Sequence, residues 1–290
     1  MIEVSHCVIC DGPIRRLKRA LVAPFLAKRI WNRMPFCINL VQCESCGFQF
    51  YNPRVEDSEL SILYKDYHSE EYQRTRYASE PWYTAKFNAD LLSKLYYGIH
   101  RDALAPIVRE FVGDRKIDRI LDYGGDRGDL VVDLIEGAET FVYDISGAQT
   151  VEGVTATSDP AACKPDLIIN SNVLEHVGFP RNIVNEMFQI APTGSLVFLE
   201  VPLENPFGTK RIVRRLAQIA VTAATRLALA RHVTRPASLY MMHEHVNFFS
   251  EQSLSALMSY CGGTVIAAGR FPILSPGGEA RMAWCLGTKI

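Results

Sequence analysis

The sequence has little that would take it into or across a membrane. No uninterrupted apolar run approaches the roughly 18–20 residues of a helical span. The longest candidate, LAQIAVTAATRLALA, is broken by Arg226. The start, MIEVSHCVICDG, carries acid and cysteine where a signal peptide needs a basic region and an apolar core. A cytoplasmic protein is therefore expected. Net charge is nearly absent, with 31 Lys and Arg against 32 Asp and Glu, so bulk charge selects no partner. Internal repeats and low-complexity tracts are missing too. Cysteine is not scarce, but the eight are clustered rather than evenly spaced. Without export signals that favours thiols and metal over disulfides. At 290 residues, 48% apolar and 22% charged, the chain can bury a sizeable core.

What is present from Asp118 onward is an alternation of short apolar runs with helical segments. RILDY, TFVYD, DLIIN and SLVFLEV read as buried strands, and GDLVVDLIEG and RNIVNEMFQIA as helices between them. That alternation implies an α/β fold with a Rossmann-like parallel sheet and helices on both faces. Ser250 can cap a further helix with Leu254, Leu257 and Met258 on one face, and TVIAAGRF and RMAWCLGTKI read as an antiparallel closing pair. Upstream, Trp82 to Val112 is helical in pattern, and Pro106 predicts two helices or a kink.

The first strand leads into LDYGGDRGDL, Leu121–Leu130. A glycine loop here would ordinarily cradle a pyrophosphate. Asp126 and Asp129 would repel one, Gly124, Gly125 and Gly128 lack the G-x-G-x-x-G spacing, and no G-K-[ST] follows. S-adenosylmethionine (SAM) suits the loop better, because it has no phosphate and carries an ammonium and a sulfonium. Asp144 ends the next strand, where an acid can accept hydrogen bonds from both ribose hydroxyls. The alternative is a plain strand-to-helix turn with Asp129 as a favourable first-turn acid.

Several motifs in order make the chain similar to class I SAM-dependent methyltransferases. Asp122-Tyr-Gly-Gly-Asp-Arg-Gly128 resembles their D-x-G-x-G-x-G motif, with Asp126 at the second glycine. Asn172-Val-Leu-Glu-His-Val177 resembles the motif ending the fourth strand, and His243-Glu-His-Val-Asn-Phe-Phe-Ser250 the H-E-H-x-x-[FY]-F-S signature after the fifth. Pro276-Gly-Gly-Glu-Ala-Arg281 faintly resembles a G-G-S-x-R stretch. The N-terminal cysteine pairs with Gly47-Phe-Gln-Phe-Tyr-Asn-Pro-Arg54 resemble the zinc module of sugar C-methyltransferases, whose larger C-terminal domain has no counterpart here. The resemblance implies cofactor contacts from Asp122, Gly124, Gly125, Gly128, Asp144 and Asn172. It implies His245 as base, Glu244 as its orienting or polarising carboxylate, and His176 as a substrate contact. For His176 a helix-start residue satisfied by backbone is an equal alternative. Glu200 could face the cleft or bond local backbone.

Cys7-Val-Ile-Cys10 and Cys43-Glu-Ser-Cys46 are matched C-x-x-C knuckles. Four thiolates can surround Zn²⁺ tetrahedrally and leave no open position, so the ion is expected to be structural. Buried structural cysteines or a redox dithiol are the alternatives. Two segments have no acid: Gly12–Cys43 and Asn205–His243. In the second, Ile212, Leu216, Ile219, Ala223 and Leu227 share a helical face, expected to pack on the domain. Its arginines, Arg214 and Arg215 among them, could meet a nucleotide diphosphate, a lipid phosphate or an anionic membrane surface. The tyrosines at 64, 67, 72, 77 and 83 could form a lid or an ordinary solvated helix.

The organisation expected is a zinc module over 1–55, a helical and aromatic linker over 56–112, and a methyltransferase domain over 113–290 with a basic insertion near 205–240. The expected reaction is methylation of a carbon or oxygen on a small anionic acceptor, first a sugar nucleotide or glycan precursor. A quinone-like or lipid acceptor is the runner-up, and a non-catalytic scaffold is the reading of another class. No N-P-P-Y motif or catalytic Pro-Cys pair suggests a nucleic-acid substrate.

Overall fold

The computed structural model describes every residue except His68, Leu92, Pro276, Gly277 and Ile290. The first two residues of the PGGEAR stretch therefore lie outside the described residues. In chain order the elements are β1 (Ile14–Leu21), α1 (Pro24–Trp31), β2 (Cys37–Cys43), β3 (Gln49–Asn52), α2 (Asp57–Tyr64), α3 (Glu70–Ser79), α4 (Ala85–Leu91), α5 (Lys94–Val112), β4 (Arg119–Tyr123), β5 (Glu139–Tyr143) and β6 (Val154–Ala156). They continue with β7 (Leu167–Ser171), α6 (Pro180–Ile190), β8 (Leu196–Pro202), α7 (Thr209–Thr225), α8 (Leu227–Val233), β9 (Asn247–Phe248), α9 (Glu251–Tyr260), β10 (Gly263–Ser275) and β11 (Gly278–Lys289). The chain forms two compact units: Met1–Asn88 with Glu175–Phe179 and Glu204–Phe248, and Ala89–Leu174 with Pro180–Leu203 and Phe249–Ile290.

The second unit carries a seven-stranded sheet in the order β10-β11-β8-β7-β4-β5-β6. Strands β4 to β8 pair in parallel, and β11 runs antiparallel to both β8 and β10. This is the Rossmann-like sheet expected from the alternating runs. The chain steps outward from β4 to β5 and β6, then returns to β7 on the other side of β4. That reversal places the ligand crevice of an open α/β sheet at the carboxyl end of β4. Side chains alternate between faces. Ile120, Ile169, Phe198 and Trp284 pack with Leu104, Val108 and Val112 of α5. On the opposite face Gly287 makes room for α9, since an added Cβ would lie 2.7 Å from the Met258 sulfur. Ser250 caps α9 as expected, accepting the Ser253 N–H at 3.2 Å.

One expectation is corrected in this unit. GDLVVDLIEG is a succession of turns, not a helix. The N–H groups of Val131 and Val132 both reach the Gly128 carbonyl, but Asp133 has φ 57°. A right-handed helix cannot pass through a left-handed residue, and two adjacent β-branched valines favour one only weakly. Burial of Leu130, Val131 and Leu134 sets the path instead. Further upstream, Pro106 lies inside α5. The helix break comes before Ser93, whose hydroxyl accepts the Tyr96 N–H at 3.2 Å and caps α5.

The first unit is built on an antiparallel sheet in the order β1-β2-β3-β9. Its core draws Phe25 and Leu26 from α1, Leu40 from β2, Tyr51 from β3, Leu63 from α2 and Tyr72 from α3. Arg54, 0% exposed, ties distant segments together. It donates from Nε to the Gly178 carbonyl at 2.8 Å, from Nη1 to the Tyr51 carbonyl at 2.8 Å, and from Nη2 to Asn247 Oδ1 at 2.5 Å. The Val246 and Asn247 N–H groups both reach the Glu175 carbonyl, at 2.8 and 3.1 Å. The Glu175–Phe179 and Val246–Phe248 segments are thereby held side by side. Burial pulls the Arg54 guanidinium down to about 9, so its cost is offset through these hydrogen bonds. Arg54→Met strands several buried acceptors at about 1–3 kcal/mol each. Urea unfolding is expected to show a net loss of about 2–4 kcal/mol; a loss within about 0.5 kcal/mol would be that of an ordinary surface position.

Candidate functional site

The glycine loop follows β4 in the second unit. Gly124 and Gly128 have φ 85° and 80°, and Asp126 has φ 52°. Asp tolerates this conformation better than most residues, which is how the turn survives without the usual second glycine. Space also demands glycine. A Cβ on Gly124 would meet Val173 Cγ2 at 2.5 Å, and one on Gly125 would meet Asp122 Oδ2 at 1.9 Å. Asp122 is folded beneath the loop, 1% exposed. Burial, then the charges of Asp144, Asp126 and Glu200, push its carboxyl up to about 8. Asp144 accepts the Asp126 N–H on one oxygen at 2.9 Å and the Ser146 N–H on the other at 2.6 Å. Asn172 sits at φ 56° just past β7, its side-chain amide 3.2 Å from Ser171 Oγ. Structure thus brings Asp122, the glycines, Asp126 and Asp144 together, and Val173 packs against the loop. Glu200 takes neither expected role. It is fully buried, with His100 Nε2 at 2.6 Å and Ser171 Oγ at 2.8 Å.

The first unit brings the two histidine motifs together. His176 and His245 meet edge to face with centroids 4.7 Å apart. The carboxylate on His245 Nδ1 belongs to Glu204, at 3.0 Å, and Glu204 also accepts from Arg211 at 2.9 Å. Glu244, the acid expected to orient His245, is instead held by Arg76 at 2.6 Å and the Tyr72 hydroxyl at 3.0 Å. His176 Nδ1 lies 2.9 Å from the Tyr64 hydroxyl and 3.2 Å from the Glu244 carbonyl. His243 joins a separate network, 3.1 Å from Glu80 and in contact with Arg215.

These contacts divide the imidazoles. Burial alone would lower His245, but the Glu204 carboxylate outweighs it and holds the ring up at about 9. Burial, then the charge on His245, pulls His176 down to about 3. Burial and the Arg215 cation pull His243 down to about 4. Near neutral pH one imidazolium therefore stands beside one neutral imidazole, a pairing that can hold and move a single proton. Glu175, His176 and His245 also each offer a ligand atom within 4.8 Å of the others. Sequence reading missed Glu204 and Arg76 as site residues. Glu204 had one usable signal, as the acid just beyond the carboxyl end of the fifth strand.

The cysteine sulfurs form a third cluster, also in the first unit. All four Sγ atoms lie within 4.8 Å of one another, with Cys7–Cys46 at 3.8 Å and Cys10–Cys43 at 3.5 Å. Tetrahedral zinc with Zn–S near 2.3 Å separates its sulfurs by about 3.8 Å. Backbone N–H groups of Ile9, Ser45 and Cys46 point at Cys7 or Cys43 Sγ at 3.4 Å. Gly12 is needed where the knuckles meet, since a Cβ there would lie 2.5 Å from Ser45 Oγ. The donor set fits zinc.

A family model described as a methyltransferase domain matches residues 97–268. This is more than half of the chain, and the chain belongs to that family. By that membership it is a methyltransferase. Similar solved structures include magnesium protoporphyrin IX methyltransferase from Synechocystis PCC 6803 with bound S-adenosylhomocysteine, at 13% identity and TM-score 0.49, covering 79% of this chain and 99% of that one. Another is 1,6-didemethyltoxoflavin-N1-methyltransferase of Burkholderia thailandensis, at 13% identity and TM-score 0.49, covering 87% and 96%. A third is a SAM-dependent methyltransferase from Methanosarcina mazei, at 15% identity and TM-score 0.45, covering 64% and 97%. A search of the curated proteins finds no match.

Proposed function

We propose that the chain methylates a carbon or oxygen of a small anionic acceptor, with a sugar nucleotide or glycan precursor as first choice. The observation that carries this reading is the Glu204–His245 pair beside neutral His176. SAM, when bound, supplies the methyl group for an in-line displacement. Asp122, Gly124, Gly125, Gly128 and Asp144 would hold it. Their fit lies in an acidic loop without room for side chains, suited to a cationic ligand. His245 takes the acceptor's proton, Glu204 fixes its ring through Nδ1 and steadies the imidazolium, and His176 contacts the acceptor. O-methylation of a quinone-like or lipid acceptor is the second reading, favoured by the exposed apolar side of α7.

The test is transfer of labelled methyl from SAM to nucleotide sugars across pH. His245 is protonated below about 9, and only the neutral ring is a base. Activity should therefore rise with pH and level off above about 9. His245→Asn should remove that rise and lower kcat by about 10²–10⁴, and Asp144→Ala should raise KM for SAM. A profile flat from pH 6 to 10, or an unaffected His245→Asn variant, would contradict the base assignment.

The same reading makes Cys7, Cys10, Cys43 and Cys46 a structural zinc site. One zinc per chain should be found by elemental analysis, and Cys46→Ser should lose it together with thermal stability. Metal-free wild-type protein melting at an unchanged temperature would contradict it.

A further inference from the structure

The helix α7 is turned the opposite way from the usual surface helix. Its buried positions are Arg215 and Thr222, and the adjoining Arg211 and Gln218 are half-buried on the same side. That side meets Glu204 and His243. The stripe expected to pack inward does not: Leu216 is exposed, and Ile212, Ile219 and Ala223 are only half-buried. Val213, Leu216, Val221 and Leu227 are 60%, 52%, 43% and 83% exposed. With Ala220 and Ala224, also exposed, the α7 members recur at three- and four-residue spacing, which is one face of a helix. Soluble monomers rarely leave so continuous an apolar strip uncovered.

Charge decides what covers it. Lys210 and Arg214 on α7, and Arg231 and Arg235 beyond it, are exposed. No Asp or Glu occurs from Asn205 to His243. A second copy laid symmetrically on this face would set cations against cations with no local acid to answer them. Apolar side chains flanked by Lys and Arg match the boundary of a bilayer rich in anionic lipid. We propose that the outer face of α7, continued by Leu227 of α8, is a docking surface for an anionic lipid bilayer. The helix lies in the plane of the interface, inserts Val213, Leu216 and Val221, and pairs its flanking cations with lipid phosphates. Among the described residues no helix is long and apolar enough to cross a membrane, so attachment is peripheral and salt-sensitive.

The experiment is flotation of the 290-residue, zinc-loaded chain with vesicles of phosphatidylglycerol and phosphatidylcholine, against vesicles of phosphatidylcholine alone. Binding to the anionic vesicles is expected, falling as salt rises. Each Lys or Arg near such a surface strengthens binding about fivefold, so Arg214→Gln with Arg231→Gln should weaken it about twenty-five-fold. Leu216→Glu with Leu227→Glu should abolish flotation while leaving the melting temperature and SAM affinity unchanged. Absence of wild-type binding would overturn the proposal, as would binding that the double Glu variant retains. A dimer in sedimentation that the double Glu variant dissolves, without vesicle binding, would assign the face to a second copy instead.

Discussion

Buried carboxylates in the first unit must each find a cation, and much else follows from that requirement. Glu80 is fully buried and Glu244 largely so, where an unpaired carboxylate would be costly, while Glu204 keeps 32% of its side chain exposed. Arg76 lies between Glu80 and Glu244, Arg211 and His245 share Glu204, and Arg215 backs His243 against Glu80. Two of those arginines belong to α7. Arg211 meets Glu204 and Arg215 meets His243, so the polar side of that helix faces inward and its apolar side outward. The same pairing charges His245 while burial keeps His176 neutral. One electrostatic constraint thus sets both the proton inventory of the site and the character of an outer surface.

A second constraint is geometric. His176 and His245 come from motifs far apart in sequence, and they meet because Arg54 and the Glu175 carbonyl clamp the two segments together. Arg54 closes the GFQFYNPR stretch of the N-terminal region. That stretch therefore positions the histidines as well as following the cysteine knuckles.

The parallel sheet was legible because buried strands of Ile, Leu and Val have few alternatives, and its switch point followed from where the glycine loop fell. The left-handed Asp126 was legible from the backbone tolerance of Asp. The turns after Gly128 were not, because apolar content does not distinguish a helix from a buried irregular path when Asp133 can turn left-handed. The matched knuckles announced a cysteine cluster. Glu204 was hidden because its significance is purely spatial: H-E-H places Glu244 next to His245 in sequence, whereas folding sends Glu244 to Arg76. The orientation of α7 was hidden for the same reason. Its periodicity marks two faces but cannot say which one the buried acids will claim.

The most direct test is to follow the His245 ring by NMR titration in the wild-type chain and in Glu204→Gln. The account predicts a pKa near 9 in the wild type. In Glu204→Gln the pull of that carboxylate is lost, Glu175 alone still favours the charged ring, and the pKa should fall from about 9 toward the ordinary histidine value of about 6.5. A wild-type value near 6.5 that the substitution leaves in place would mean that Glu204 does not govern His245, and the proposed division of acid and base would fail.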